Sequence, residues 1–158
     1  MNNFAKLTSA VVFALGLAAC NQGPDPAKVQ ADIAKAQAEG QKKVVDAQAD
    51  LTKVMAEVHK DAAVDRADAQ QAAATPNASA PATDNTAGNA ADANKKLAAA
   101  QYKVDHAMAE AQYDTAVARC EGVTGDAAKS CKDTAKAKYD SDETTAKSKR
   151  DAVKAANS

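Results

Sequence analysis

Cys120-Glu121-Gly122-Val123-Thr124-Gly125-Asp126-Ala127-Ala128-Lys129-Ser130-Cys131 is the stretch on which the fold turns. The cysteines stand five residues before and six after Gly125, with segments rich in Ala, Lys, Gln and Glu on both sides. Those are the best helix formers. Glycine takes up the left-handed conformation cheaply, so Gly125 reads as the C-terminal cap of one helix, and Asp126 can cap the free amides of the next. An antiparallel hairpin turning at Gly125 would hold Cys120 and Cys131 at similar height. A disulfide needs Cα atoms about 4.4–6.8 Å apart, which close helices with alanine neighbours can reach. Closing so short a loop would stabilise by roughly 3 kcal/mol in the chain-entropy model. A redox-active or metal-binding pair, and two free thiols, are the alternatives; no Cys-X-X-Cys is present to favour the redox reading.

Working outward, the segment from Asp92 or Asn94 to about Val123 reads as a helix with two neighbouring stripes. One is Leu97, Val104, Met108 and Ala111; the other is Tyr102, His106, Ala109, Tyr113, Val117 and Cys120. The segment from Asp126 to about Ala156 reads as its partner, with a seam of Cys131, Ala135, Tyr139, Asp142, Ala146, Lys149 and Val153. The seam turns polar toward its end, which predicts fraying there. Upstream, residues 75–93 hold Pro76, Pro81, Gly88 and many small polar residues, the composition of a disordered linker. Before them, residues 26–74 read as one long amphipathic helix, begun by Asp25 as cap and Pro26 at the first helical position. Its stripe is Val29, Ile33, Ala36, Gly40, Val44, Ala47, Leu51, Val54 and Val58, with heptad spacing from Val44 onward. Three arrangements suit such a stripe: a homo-oligomeric coiled coil, packing against the chain's own second half, or a lone helix. Gly40 would let a partner approach closely.

The expected fold is therefore all-α: a long N-terminal helix, a disordered linker, and a disulfide-closed antiparallel helical hairpin over residues 94–158. Composition supports this. The hydrophobic share of the 158 residues is 46%, yet most of it is alanine, with no Trp and 3% aromatics. Fully burying a large apolar side chain is worth roughly 1.5–3 kcal/mol, against about 1–2 kcal/mol per residue for backbone ordering. Few large side chains favour thin helical packing over a thick core. Residues 20–93 carry 7 basic and 11 acidic groups, and residues 94–158 carry 12 and 10. Neither half is basic enough for a nucleic-acid footprint, so no nucleic-acid partner is expected.

The first 19 residues resemble a signal peptide. Lys6 gives a short positive region, and Leu7 to Leu17 is an apolar run too short to span a bilayer. It ends in Leu17-Ala18-Ala19-Cys20, which resembles the lipobox of bacterial lipoproteins at all four positions. The resemblance implies cleavage before Cys20, acylation of its sulfur and of its new amine, and a membrane anchor on Cys20. Residues 20–25 would then be a tether. Asn21 in place of Asp implies the outer membrane rather than the inner, within the periplasm. Two or three acyl chains anchor stably where one binds only marginally. Export also favours oxidation, and lipidation of Cys20 leaves Cys120 and Cys131 as a complete pair.

Tyr113, Cys120, Gly125, Lys129, Cys131, Ala135-Lys136-Ala137 and Tyr139 resemble a two-cysteine segment of small Ala/Lys-rich, TolA-like or uncharacterised envelope proteins of proteobacteria. TolA itself bridges the two membranes through a transmembrane helix and a folded C-terminal domain, neither of which is found here, so energy coupling is not expected. In plan the chain also resembles the murein lipoprotein, lipid followed by heptad helix. That protein joins peptidoglycan through a terminal Lys; here the last residues are Ala155-Ala156-Asn157-Ser158, and no covalent link is expected.

His59 and His106 read as isolated, partly exposed positions, and Asp142-Glu143 as a surface pair. No metal, cofactor or catalytic set is expected, and no nucleotide or hydrolase fingerprint occurs. The expected function is a lipid-anchored periplasmic envelope protein with a structural or interaction role. Its partners would be envelope proteins, or second copies meeting through the Val29–Val58 stripe. The alternative is a stress-related holdase that grips unfolded proteins on its Ala/Met/Tyr stripes.

Overall fold

This computed structural model describes residues 23–74 and 84–158. Cys20 with its signal, and residues 75–83 of the expected linker, lie outside the described residues. The fold is all-α: helix α1 spans Pro26–Ala73, α2 spans Asp84–Cys120 and α3 spans Gly125–Ala156, with no strand among the described residues. None of these helices is long and apolar enough to cross a membrane.

Helix α1 starts where the sequence predicts. Asp25 Oδ1 accepts a hydrogen bond from the Ala27 amide at 2.9 Å, and Pro26 takes the first helical position. Its 48 residues reach about 70 Å. The predicted stripe is the less exposed side: Gly40 is buried and the other members are half-buried, with Ala62 and Asp65 continuing the row. This row faces α2, which runs antiparallel to α1. Asn89 Nδ2 donates to Asp65 Oδ2 at 3.0 Å, and Lys43 Nζ lies 2.9 Å from Glu110 Oε1 and 3.5 Å from Asp114 Oδ2. Of the three arrangements open to α1, packing against the chain's own second half is the one found. The Val29–Val58 stripe thus faces α2 of the same chain.

Gly40 is a point of close approach in that interface. A Cβ added there would stand 2.5 Å from Ala111 Cβ and 3.0 Å from its Cα, too near for any real side chain. Two helix backbones, not a flexible tip, would have to separate. Gly40→Val is therefore expected to destabilise by about 1–3 kcal/mol through overpacking, read as a lower thermal or urea midpoint. A midpoint at or above the native one would mean that α1 and α2 are not this close.

Helix α3 returns antiparallel along α2, and its backbone packs on α2 and not on α1. Helix α2 thus carries both interfaces, and Leu51 and Met55 of α1 line one groove with Val153 and Ala156 of α3 beside it. The buried positions follow: Ala100, Val104, Ala107, Ala109, Ala118 and Cys120 on α2, and Ala135 and Ala146 on α3. This core is mostly alanine. Small side chains bury little area each, but they bring backbones together and so gain dispersion contacts along the full helix length.

Several expectations need correction. Helix α2 begins at Asp84 rather than Asp92 or Asn94, so residues 84–93 belong to a helix and not to the linker. The Asn, Thr and Gly content there argues for a loop, but the chain runs beside the end of α1, where the Asn89–Asp65 hydrogen bond ties it down. Tertiary contact overrides weak propensity. The helix ends at Cys120, three residues early, and the amides of Gly122 and Val123 turn back onto the carbonyls of Arg119 and Cys120. Gly125 does hold the left-handed conformation, with φ 63°, but as the first residue of α3 rather than as a cap of α2. Thr124 stands at the cap position without a side-chain hydrogen bond, and Asp126 serves in the first turn, where a negative charge suits the helix dipole. The end of α3 is fastened, not frayed. The Asn157 side chain donates to the Val153 carbonyl at 2.7 Å and accepts from Asn94 Nδ2 at 3.2 Å.

Candidate functional site

The chemistry-bearing residues gather on the α2–α3 hairpin. Tyr102 and His106 are four residues apart on α2 and share a face, and Tyr113 lies seven further on, two turns along the same face. On α3, Tyr139, Glu143 and Lys147 follow at intervals of four, with Arg150 one turn beyond. Antiparallel packing sets Glu143 opposite Tyr102 and His106. Glu143 Oε1 accepts from the Tyr102 hydroxyl at 2.5 Å and lies 3.2 Å from Lys147 Nζ; Oε2 lies 2.6 Å from His106 Nδ1. An ionised carboxylate can only accept, so Nδ1 must carry the proton in this contact. Aromatic rings run alongside. Tyr113 and Tyr139 stand 5.4 Å apart, Tyr139 and His106 6.5 Å, and Tyr102 and His106 are stacked at 5.9 Å. The Arg150 guanidinium covers the Tyr102 ring at 4.6 Å.

Glu143 is the one buried charged residue among those described, at 9% exposure. Hydrogen bonds from Tyr102 and His106, with Lys147 adding to them, outweigh its desolvation and hold its carboxyl down at about 2. The same bond to Glu143 pushes the Tyr102 phenol up, because losing its proton would leave two negative oxygens in contact. A carboxylate held so low, with both oxygens occupied by donors, is a poor general base. The cluster therefore joins α2 to α3 and offers no free reacting group. Among the described residues no group of three or more His, Cys, Asp or Glu is placed to hold a metal ion.

The two cysteines stand where the hairpin reading put them. Cys120 and Cys131 form a disulfide with Cα atoms 5.6 Å apart, and Cys120 is only 1% exposed. The bridge closes one end of the hairpin, and the Glu143 cluster ties its middle. Beside the cluster Lys149 Nζ reaches Asp105 Oδ2 at 3.3 Å, and at the other end Asn94 donates to Asn157.

No family model, no curated protein and no solved structure matches this chain.

Three site readings change. His106 is not isolated, since it meets Glu143. Asp142 stays half-exposed and pairs with Lys138 at 2.6 Å, but Glu143 turns inward, so the two acids are not one surface pair. Lys149 is exposed and Arg150 takes its place on the inner side. Steps of three or four residues from Tyr139 lead equally to Asp142 or to Glu143, and the structure takes the second path, through Glu143, Ala146, Arg150 and Val153. His59 is exposed, as expected. Cys20, the expected lipidation site, lies outside the described residues.

Proposed function

We propose that this chain is a lipid-anchored protein of the bacterial cell envelope, held in the periplasm through acyl chains on Cys20, with a structural or protein-interaction role. The outer membrane is the proposed site of anchorage. The observation that carries this reading is the closed Cys120–Cys131 bridge. Disulfides persist in the periplasm and are rare in the cytosol, so the bridge agrees with export, which the Leu17-Ala18-Ala19-Cys20 ending also requires. The Glu143 cluster supports a structural over a catalytic role, because its donors and acceptors are engaged with one another.

The test combines fractionation and crosslinking in cells. The native protein should pellet with membranes, resist high salt, dissolve in detergent and carry acyl mass on an N-terminal Cys20. Cys20→Ser should appear in the soluble fraction. Crosslinks from the membrane-bound form should fall on envelope proteins or on second copies. A soluble native protein without acyl mass would sink the anchor, and an anchored protein that crosslinks to nothing would sink the interaction role.

A further inference from the structure

The beginning of α1 and the turn joining α2 to α3 lie at the same end of the molecule. A side-chain carbon added at Gly122 would sit 3.5 Å from Val29 Cγ1, and Val29 is in the first turn of α1. Only residues 21–25 separate Cys20 from Pro26, six steps along the chain. Six extended residues span at most about 20 Å. The start of α1 is itself fixed by the Asp25 cap, so whatever holds Cys20 also holds this end of the bundle close. The turn Glu121–Thr124 presents Val123, 43% exposed, at its tip. The disulfide directly behind it keeps the tip from unravelling. Nearby charges are mixed, with Lys28, Arg119, Lys129 and Lys132 set against Asp25, Asp32, Glu121 and Asp126, so no strong field of one sign repels a lipid surface.

We infer that the disulfide-closed turn Glu121–Thr124 is a membrane-contact surface, resting on the lipid headgroups beside the anchor with Val123 as its apolar tip. This rests on the proposed acylation of Cys20. The occupant of the surface is the bilayer that the acyl chains enter. The bundle then stands on end, and the α1–α2 end that carries Val64 and Asn89 projects away from the membrane. Val64 is 38 residues beyond Pro26, about 55 Å along the helix.

The chain has no Trp, so a single introduced indole reports its own surroundings. The full-length lipidated protein would be prepared as Val123→Trp, and separately as Val64→Trp at the other, equally exposed end. Both would be reconstituted in vesicles of phosphatidylethanolamine and phosphatidylglycerol, with and without brominated acyl chains. The V123W emission should shift to the blue on reconstitution and lose at least half its intensity with brominated lipid, while V64W changes by less than a tenth. Vesicle-bound protein with acyl mass on Cys20 but an unquenched V123W indole overturns the contact surface and leaves the anchor standing. Protein lacking acyl mass and failing to bind vesicles overturns both. If V123W misfolds by circular dichroism, deuterium exchange on the native sequence decides instead. The 121–124 amides should exchange at least threefold more slowly on vesicles than in Cys20→Ser protein, and equal rates overturn the inference.

Discussion

Replacing both Cys120 and Cys131 by Ala should lower stability by about 3 kcal/mol. The bridge closes a sequence separation of 11 residues. Its removal frees the unfolded hairpin ends, and the chain-entropy cost of rejoining them falls on the folded state. In a larger globule that loss would be diluted by contacts elsewhere. Here the α3 backbone packs on α2 alone, across an interface whose buried apolar members are Ala109, Cys120, Ala135 and Ala146 with half-buried tyrosines beside them. For a chain of this size the loss corresponds to a melting shift on the order of 10 °C. Alanine at both positions avoids leaving a lone thiol in the site where Cys120 is 1% exposed. Urea unfolding of the native and double-variant proteins measures the difference. A midpoint change equivalent to less than about 0.5 kcal/mol would contradict the assignment, since surface substitutions alone reach that size.

Glu143 should give the second large effect, and one that depends on pH. Its carboxyl is lowered from an ordinary value of 4.5 to about 2, chiefly by the Tyr102 hydroxyl, then by His106 and Lys147. A lowered carboxyl contributes stability that is fully present above pH 4.5 and lost as pH falls through that value toward 2. With about 1.4 kcal/mol per pKa unit, the contribution is on the order of 3 kcal/mol. The side chain is 12% exposed, but His106 and Lys147 beside it are 40% and 52% exposed, so solvent screens part of this contribution. Glu143→Gln keeps the size and an acceptor for Tyr102 but removes the charge. The variant should be less stable than the native protein by about 2–3 kcal/mol near pH 6, and the two should converge by about pH 2 as the native carboxyl takes up its proton. The difference between their urea midpoints across this range isolates Glu143 from the other carboxylates. A difference that stays constant with pH would show that the residue acts through shape and not through charge.

The stripe Val29 to Val58 was legible in full because long spacing at three and four residues has one reading on a helix. The Cys120–Cys131 pairing was legible because two cysteines at nearly equal distances from a helix breaker leave little geometric choice. Which neighbour covers the stripe was not legible, since α2 of the same chain and a second copy would offer similar Ala-rich faces. Gly40 carries the difference only through its partner, Ala111, seventy-one residues away. The start of α2 is not legible, because Asp84 to Ala93 mixes Asn, Thr, Gly and Asp with its alanines, and its support comes from Asp65 on α1. Glu143 was the main miss in the site. An acid next to another acid in a charged helix reads as surface, and one residue of helical rotation decides which of the two turns inward. Its burial depends on Tyr102 and His106, which are brought opposite it only by the hairpin.

The sharing of α2 by both interfaces sets how the molecule comes apart. The two backbone interfaces, α1 with α2 and α2 with α3, each join only neighbours along the chain, as in a short repeat array. Stripping α3 from α2 leaves every α1–α2 contact in place, and lifting α1 leaves the bridged hairpin whole. Helix α2 alone takes part in both interfaces. Its central amides open only when the last neighbour has gone, so opening free energies rise inward from the two outer helices to the middle one. A force applied at the start of α1 therefore peels that helix first, and the hairpin behind it stays closed by its own covalent link.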